Sequence, residues 1–141
     1  MAALTAARKT DSRVVEWAGI TEEVGADSTQ FYKGGIVCLD QADGKVKKGS
    51  VDTGLVCLGR SLVTLLTGTS NTKRIPAESG IFKWLNSAAG DAIAADDVGK
   101  DCFIVDDQTV ALTDGTGTRS KAGVVYGVDS DGVWVATGFP L

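Results

Sequence analysis

Residues 123–138, "GVVYGVDSDGVWVATG", decide the fold, because two apolar segments flank a short polar turn. Val, Tyr and Trp dominate both segments, as a pleated and half-buried surface favours. The Asp-Gly pair between them tolerates the positive φ values of a type I′ hairpin turn. "DQADGKV" at 40–46 repeats the pattern, and "DDQT" at 106–109 joins two further apolar segments. Consecutive hairpins make neighbouring strands antiparallel, so the sequence predicts an all-β chain.

Short apolar segments punctuated by Gly, Asp, Asn and Ser continue this pattern from Arg13 onward. Glycine supplies 18 of the 141 residues, nearly twice the average usage of ~7%, as many tight turns require. We predict one small antiparallel β-barrel or sandwich-like domain over 13–141, with 16–28 offering some chance of a helical turn. The most distinct strands are "RVVEWA" (13–18), "GIVCLD" (35–40), "GLVCLGRSLVTLL" (54–66), "GIFKWL" (80–85), "DCFIVD" (101–106), "TVALT" (109–113), "AGVVYGV" (122–128) and "GVWVAT" (132–137).

Several of these strands are apolar on both faces. "CFIV" and "LVCL" contain no polar residue that could face water. A lone small barrel would expose one face of such strands, so both faces must be covered. Either loops or another subunit supply the cover, and the sequence therefore gives a first indication of self-association.

Composition and charge exclude several functions. The net charge of −4 and pI near 4.7 leave no overall positive field for nucleic acid. Cys38, Cys57 and Cys102 lie in apolar runs without a C-x-x-C pair, so they are predicted to be buried free thiols. The chain shows neither a signal peptide nor a membrane-length apolar run, which predicts synthesis in the cytoplasm and no membrane partner. Without histidine, Ser-His and Cys-His catalysis are excluded, and we predict a protein that is not an enzyme.

The aspartate-rich segment 90–107, "GDAIAADDVGKDCFIVDD", is the strongest candidate for a metal or acid/base site. Calcium loops need carboxylates at alternate positions, a glycine at position six and a glutamate at position twelve, and this spacing fails. No nucleophile or oxyanion cradle accompanies the carboxylates. We therefore predict turns: 96–99 bends so that Val98 points inward, and Asp106-Asp107 ends the strand "CFIV". No catalytic, cofactor or metal residue is predicted.

A dUTPase-like trimeric β-enzyme is the enzyme alternative. "LGRSLV" at 58–63 partly matches the phosphate motif G-R-S-S, and "AGVVYGVDSDG" partly matches A-G-V-I-D-x-D-Y-x-G. Both matches fail where the chemistry lies. Leu62 stands at the second serine, and Tyr126-Gly127 displace the expected aspartate.

The N-terminal arm, residues 1–12, is alanine-rich and polar, "MAALTAARKTDS". A segment with so little apolar surface is ordered only when contacts offset its entropy loss, so we expect an extended arm that orders on a partner. Trp17, beside the arm, is either a core residue or an interface anchor, a role in which Trp is enriched. The predicted partner or subunit contacts are Arg8, Lys9, Arg13 and Trp17.

The order of motifs resembles that of the decoration, or cement, proteins of tailed-phage capsids. "YKGGIVCLD" (32–40) and "GLVCLGRS" (54–61) precede a central block, "ESGIFKWLNSAAGDAIAADDVGKDCFIVDDQTV" (78–110), and then "SKAGVVYGVDSDGVWV" (120–135). In that family a "G-x-F" strand is similarly followed by "GD-x-I", "D-V-G-K", "V-D-D-x-T-V" and a final "D-x-D-G-V-W-V" hairpin. The arm is the part that matches least.

The resemblance implies a barrel-like domain on the outer capsid surface of the virion, made in the bacterial host cytoplasm. Its implied partner is the major capsid protein, with self-association as a trimer favoured over a dimer. Its implied role is reinforcement of the head against internal DNA pressure. A carbohydrate- or receptor-binding virion module is the alternative, for which Tyr32 or Trp134 would stack on sugars.

Overall fold

The computed structural model describes residues 2–13 and 19–138, with only the backbone of Arg13. Within these residues the chain is almost entirely β, and its two helical segments are single 3-10 turns, Ala89–Asp91 and Ala95–Asp97. The all-β prediction is confirmed. The strands are β1 (Ser12–Arg13), β2 (Ile20–Val24), β3 (Gln30–Phe31), β4 (Ile36–Asp40), β5 (Val46–Lys48), β6 (Leu55–Ser61), β7 (Leu65–Leu66), β8 (Arg74–Glu78), β9 (Gly80–Asn86), β10 (Asp101–Ile104), β11 (Thr109–Ala111), β12 (Lys121–Asp129) and β13 (Gly132–Thr137).

Five strands close into a barrel in the order β9-β11-β10-β12-β13, and β13 pairs back onto β9. The β9–β11 contact is parallel and the other four are antiparallel. Closure pairs the edges that an open sheet would leave exposed. Trp84, Phe82 and Val135 lie in its fully buried interior.

A second sheet has the order β2-β8-β6-β4-β5, and a bridge between Gly25 and Val46 brings the end of β2 to β5. Its own core contains Phe31, Val46 and Ile75, each with no exposed surface. The short pair β3–β7 forms a separate two-stranded sheet, and its Phe31 packs in this second core. Two adjacent cores therefore fill the molecule.

Strands β4 and β6 form a wall that both cores share. Ile36 and Cys38 face the barrel core, whereas Val37 between them faces the second core. A bulge at this point leaves Leu58 without a partner in β4 and directs it to the second core as well. On the second face, Val37 and Leu58 are thus buried within one chain, whereas Val56 of "LVCL" and Phe103 and Val105 of "CFIV" are half-buried. Self-association stays a prediction.

The predicted hairpins form, but their turns differ from the prediction. Asp129 pairs with Gly132, so the turn residues are Ser130 and Asp131, and neither has a positive φ. Gly132 instead permits a close approach, since a Cβ there would lie 2.7 Å from the Trp84 carbonyl oxygen. In the hairpin between β4 and β5, Gly44 has φ +70° whereas Asp43 does not have a positive φ. The type I′ assignment was therefore wrong at both Asp-Gly pairs.

The other predicted strands are confirmed with small changes in length. Predicted strand 54–66 divides into β6 and β7, and only the first residue of predicted strand 13–18 lies within the described residues. The helical turn considered at 16–28 is wrong for residues 20–24, which form β2 and pair with β8. Residues 14–18 lie outside the described part of the chain.

Candidate functional site

The described part of the N-terminal arm, residues 2–12, lies along its own domain. The Arg8 amide donates to the Lys33 carbonyl at 2.7 Å, and the Lys83 amide donates to the Asp11 carbonyl at 3.0 Å. Closer to the N-terminus, the Leu4 amide donates to Asp107 Oδ1 at 2.8 Å. Hydrogen bonds to the arm's own domain thus supply the contacts that its sparse apolar surface cannot.

Gly34 allows the arm to approach this closely. It has φ +90°, and a Cβ built there would stand 2.0 Å from the Arg8 carbonyl oxygen. The hydroxyl of Thr10 donates to the Gly34 carbonyl on the same side. A side chain at position 34 would therefore collide with the arm backbone as well as strain its own backbone.

Arg8 is the most constrained cation of the arm. Its guanidinium lies 5.3 Å from the centre of the Trp84 ring, a cation–π contact. Its NH1 donates to Thr10 Oγ1 at 2.9 Å and to the Lys83 carbonyl at 3.1 Å. Burial lowers the pKa of Arg8, while Asp11 and Asp107 act in the opposite direction. An arginine stays protonated despite such shifts.

Between the arm and β6 lies a cavity of about 160 Å³, here called the basic pocket. Arg60 forms its inner side: Nε and NH2 donate to Glu78 Oε2 at 3.2 and 3.0 Å, and NH1 donates to the Thr10 carbonyl. Its guanidinium lies 4.4 Å from the centre of the Phe82 ring. The lining residues are Arg8, Lys9, Thr10, Lys33, Gly34, Arg60, Ser61 and Leu62.

Two of the four predicted contact residues, Arg8 and Lys9, line the basic pocket. Arg13 contributes its backbone to β1, opposite Ile81, and Trp17 lies outside the described residues. Sequence reasoning missed Lys33 and Arg60, which the fold brings to the arm from different segments. Arg60 belongs to "GRS" (59–61), which the sequence analysis considered only as a partial match to a phosphate motif.

Asp97 is the last residue of the 3-10 turn Ala95–Asp97 and caps the N-terminal end of that turn. Its Oδ2 accepts the Ala94 amide at 2.8 Å, and its Oδ1 accepts Lys100 Nζ at 2.9 Å. These two bonds hold the pKa of Asp97 below its usual value, and the bond from the Ala94 amide has the larger effect. The predicted turn is present, but Val98 is 52% exposed and Asp97 is buried in its place. The prediction that Val98 points inward was wrong. The Asp97 carboxylate is buried instead, because two donors form hydrogen bonds with it.

Asp91, Asp106 and Asp107 also bond to the backbone or pair with cationic side chains. Asp106 Oδ1 accepts the Gln108 amide at 2.9 Å and so ends β10, as predicted. Asp91 accepts from Thr113 and Arg119, which keep its pKa low. Asp107 is buried, which raises its pKa, and it accepts the Leu4 amide. Among the described residues, no three Cys, Asp or Glu side chains are grouped to hold a metal.

We expect Asp97→Asn to destabilise the protein at neutral pH and to matter less in acid. The carboxylate's depressed pKa contributes stability above the unfolded value of about 3.8, and this stability is lost as the pH falls through the lower folded value. Urea unfolding midpoints of the variant and wild type between pH 7 and strong acid should converge. Asp96→Asn, at an exposed position next to it, serves as the control. A gap for Asp97→Asn that stays constant with pH would contradict the assignment.

The three cysteines are free and buried, as predicted. Cys38 stands opposite Cys57 in the β4–β6 pair. Burial raises the pKa of Cys102 to about 12, and its thiol donates to the Gly123 carbonyl. A thiol this weakly acidic carries almost no thiolate near neutral pH, so it is a poor nucleophile.

The two aromatic residues considered for sugar stacking already have a cation over one face. Lys48 Nζ lies 5.2 Å from the centre of the Tyr32 ring, and Lys83 Nζ lies 5.7 Å from that of Trp134. The Trp134 indole also donates to Asp129 at 2.8 Å. A sugar stacking on these same faces would have to displace a lysine that is already attracted to the ring.

Compared with known proteins, the chain matches no protein-family model, no curated protein and no solved structure. Among the residues that the structure describes, none forms a helix with the length and apolar character needed to cross a membrane. Function is therefore inferred from the chain's own residues.

Proposed function

We propose that this chain is a non-enzymatic structural protein of a tailed-phage virion. It binds the outer surface of the major capsid protein lattice and stabilises the head against internal DNA pressure. Its partners are the major capsid protein and further copies of itself, as a trimer in preference to a dimer. Nucleic acid and membranes are not among its partners, and it is made in the bacterial host cytoplasm before it joins the virion.

The observation that carries this proposal is the order of motifs similar to those of decoration proteins. Those motifs coincide with strands of both sheets: residues 32–40 contain β4, 54–61 contain β6, and 78–110 contain β9, β10 and most of β11. The last motif, 120–135, contains β12 and most of β13. The resemblance thus concerns the framework of both sheets. Fold alone does not establish function, so binding has to be measured.

Mechanical reasoning supports the same role. A load on a closed barrel is shared among hydrogen-bonded strands, and here the barrel also shares a wall with a second core. The seated arm adds a separate basic surface, with Arg8 and Lys9 at the pocket. When many copies bind one lattice, modest individual contacts add through multivalency. Self-association draws its support from the resemblance and from the apolar pattern of "LVCL" and "CFIV".

We expect purified protein to bind undecorated capsids of the phage that encodes it in a saturable manner, with a fixed number of copies per capsid. Sedimentation followed by quantitative gel analysis counts the copies, and a cryo-EM map locates them. Decorated capsids should also release DNA at a higher temperature than undecorated ones. Absence of binding across a wide range of protein and salt concentrations would refute the proposal. A glycan array and a dUTP hydrolysis assay with magnesium test the two alternative functions directly.

A further inference from the structure

The basic pocket concentrates positive charge in an acidic chain. The whole sequence has 18 acidic and 14 basic residues, yet four of the eight residues lining the pocket are Arg or Lys. Glu78 neutralises only Arg60. Lys9 and Lys33 are exposed and form no ion pair within the described residues. Glu78, together with Asp11 and Asp107 near Arg8, offsets only part of the four positive charges, so the pocket is net positive.

The backbone around the pocket has few free N–H groups for a ligand, because most of them form hydrogen bonds within the protein. Phosphate sites are commonly built from clusters of free backbone amides. Here five of the eight lining residues donate their amides to protein oxygens, and both lining hydroxyls also donate internally, to Gly34 and Val63. The five residues are Arg8, Lys33, Gly34, Ser61 and Leu62.

Apart from the amides of Lys9, Thr10 and Arg60, the donors that remain are cationic side chains. Arg60 uses Nε, NH1 and NH2 on Glu78 and Thr10. Arg8 uses only NH1, and within the described residues its Nε and NH2 meet no acceptor. These two groups form the side of a guanidinium that binds a carboxylate bidentately. Contacts with Trp84 and Lys83 already fix the Arg8 side chain, which reduces the entropy that binding would cost.

We infer that the basic pocket binds the carboxylates of an acidic segment of a protein partner. Arg8 takes one Asp or Glu head group, and Lys9 and Lys33 attract neighbouring carboxylates from the rim. This inference rests on the proposed function, under which the segment belongs to the major capsid protein. Charge complementarity supports this occupant, and the small number of free amides speaks against a compact phosphate.

The test titrates the full chain with a hexaglutamate peptide and, separately, with inorganic phosphate, while amide NMR shifts are followed. We expect hexaglutamate to shift the amides around Arg8, Lys33 and Ser61, and to do so more weakly in high salt, which screens exposed charges. Lys9→Glu and Lys33→Glu should each weaken peptide binding by roughly tenfold, since each reverses a charge at the site. Lys73→Glu makes the same charge change at an exposed lysine outside the pocket and should leave binding near the wild-type value.

Capsid binding is then measured for the same variants. Loss of binding for Lys9→Glu and Lys33→Glu, but not for Lys73→Glu, supports the pocket as the contact. If wild type binds capsids and all three variants bind equally well, the pocket inference is overturned while the proposed function stands. If wild type does not bind capsids, the proposed function fails, and the peptide titration still decides the pocket's chemistry. Equal shifts with phosphate, or none with hexaglutamate, overturn the acidic-segment inference.

Discussion

Replacing Trp84 with alanine is expected to lower the free energy of unfolding by about 3–5 kcal/mol, the usual cost of emptying a large buried aromatic site. Trp84 has no exposed surface and lies in the barrel core. Its ring meets that of Phe82 edge to face, with centres 6.2 Å apart. Its indole donates to Thr137 Oγ1 at 3.0 Å. The alanine variant therefore loses packing and a buried hydrogen bond together, and it also removes the ring under Arg8.

Two companion variants separate these contributions. Thr137→Val keeps the side-chain volume but leaves the indole N–H without its acceptor, at a cost of about 1–3 kcal/mol. Trp134→Ala removes the half-buried tryptophan on the neighbouring strand, and we expect a clearly smaller loss than at Trp84. Urea unfolding with the m-value as a check measures all three. A loss below about 1 kcal/mol for Trp84→Ala would contradict the barrel core described above.

Replacing Gly34 with alanine is expected to detach the N-terminal arm. Any non-glycine residue at its positive φ carries a strain of about 1–3 kcal/mol, and the Cβ would in addition collide with the Arg8 carbonyl. Gly54→Ala is the matched control, since Gly54 has φ +73° but no atom within 4 Å of its Cβ position. Both variants therefore suffer backbone strain, whereas only Gly34→Ala displaces the arm.

Limited trypsin digestion measures this difference, because the arm contains Arg8 and Lys9 as cleavage sites. We expect Gly34→Ala to be cut there at least about tenfold faster than Gly54→Ala, since proteolysis follows the population of the detached state. Circular dichroism should show that both variants keep the β-domain. Equal cleavage rates would show that Gly34 does not hold the arm. Under the proposed function, detachment also disperses the basic pocket, so Gly34→Ala should bind capsids more weakly than the control.

The sequence predicted the strands whose apolar pattern is strong and missed those whose pattern conflicts with their structure. β8 contains Pro76, which lacks the N–H that a central strand uses and so argues against a strand. In β2, Ile20 and Val24 are four residues apart, as on one face of a helix, yet this segment pairs with β8. Pairing partners distant in sequence decided both cases, and a local pattern carries no information about them.

The candidate site was predictable only in part. Arg8 and Lys9 stood out because they are basic residues in a weakly apolar arm. Lys33 and Arg60 belong to separate strands and loops, and only the tertiary fold brings them to the arm. The aspartate turns were largely predictable, because Asp bonds nearby backbone amides irrespective of the fold. The sequence did not predict which residue of the turn at 96–99 is buried, because that depends on the Ala94 amide and on Lys100.

The shared wall of β4 and β6 also has a consequence for how the molecule melts. Neither core can lose its packing alone, because the same two strands line both. Unfolding of the barrel would strip one side of the second core, and the reverse is equally true. The two sheets are therefore one thermodynamic unit, which should melt in a single calorimetric transition. Dividing the chain between the two sheets would yield fragments that cannot fold independently.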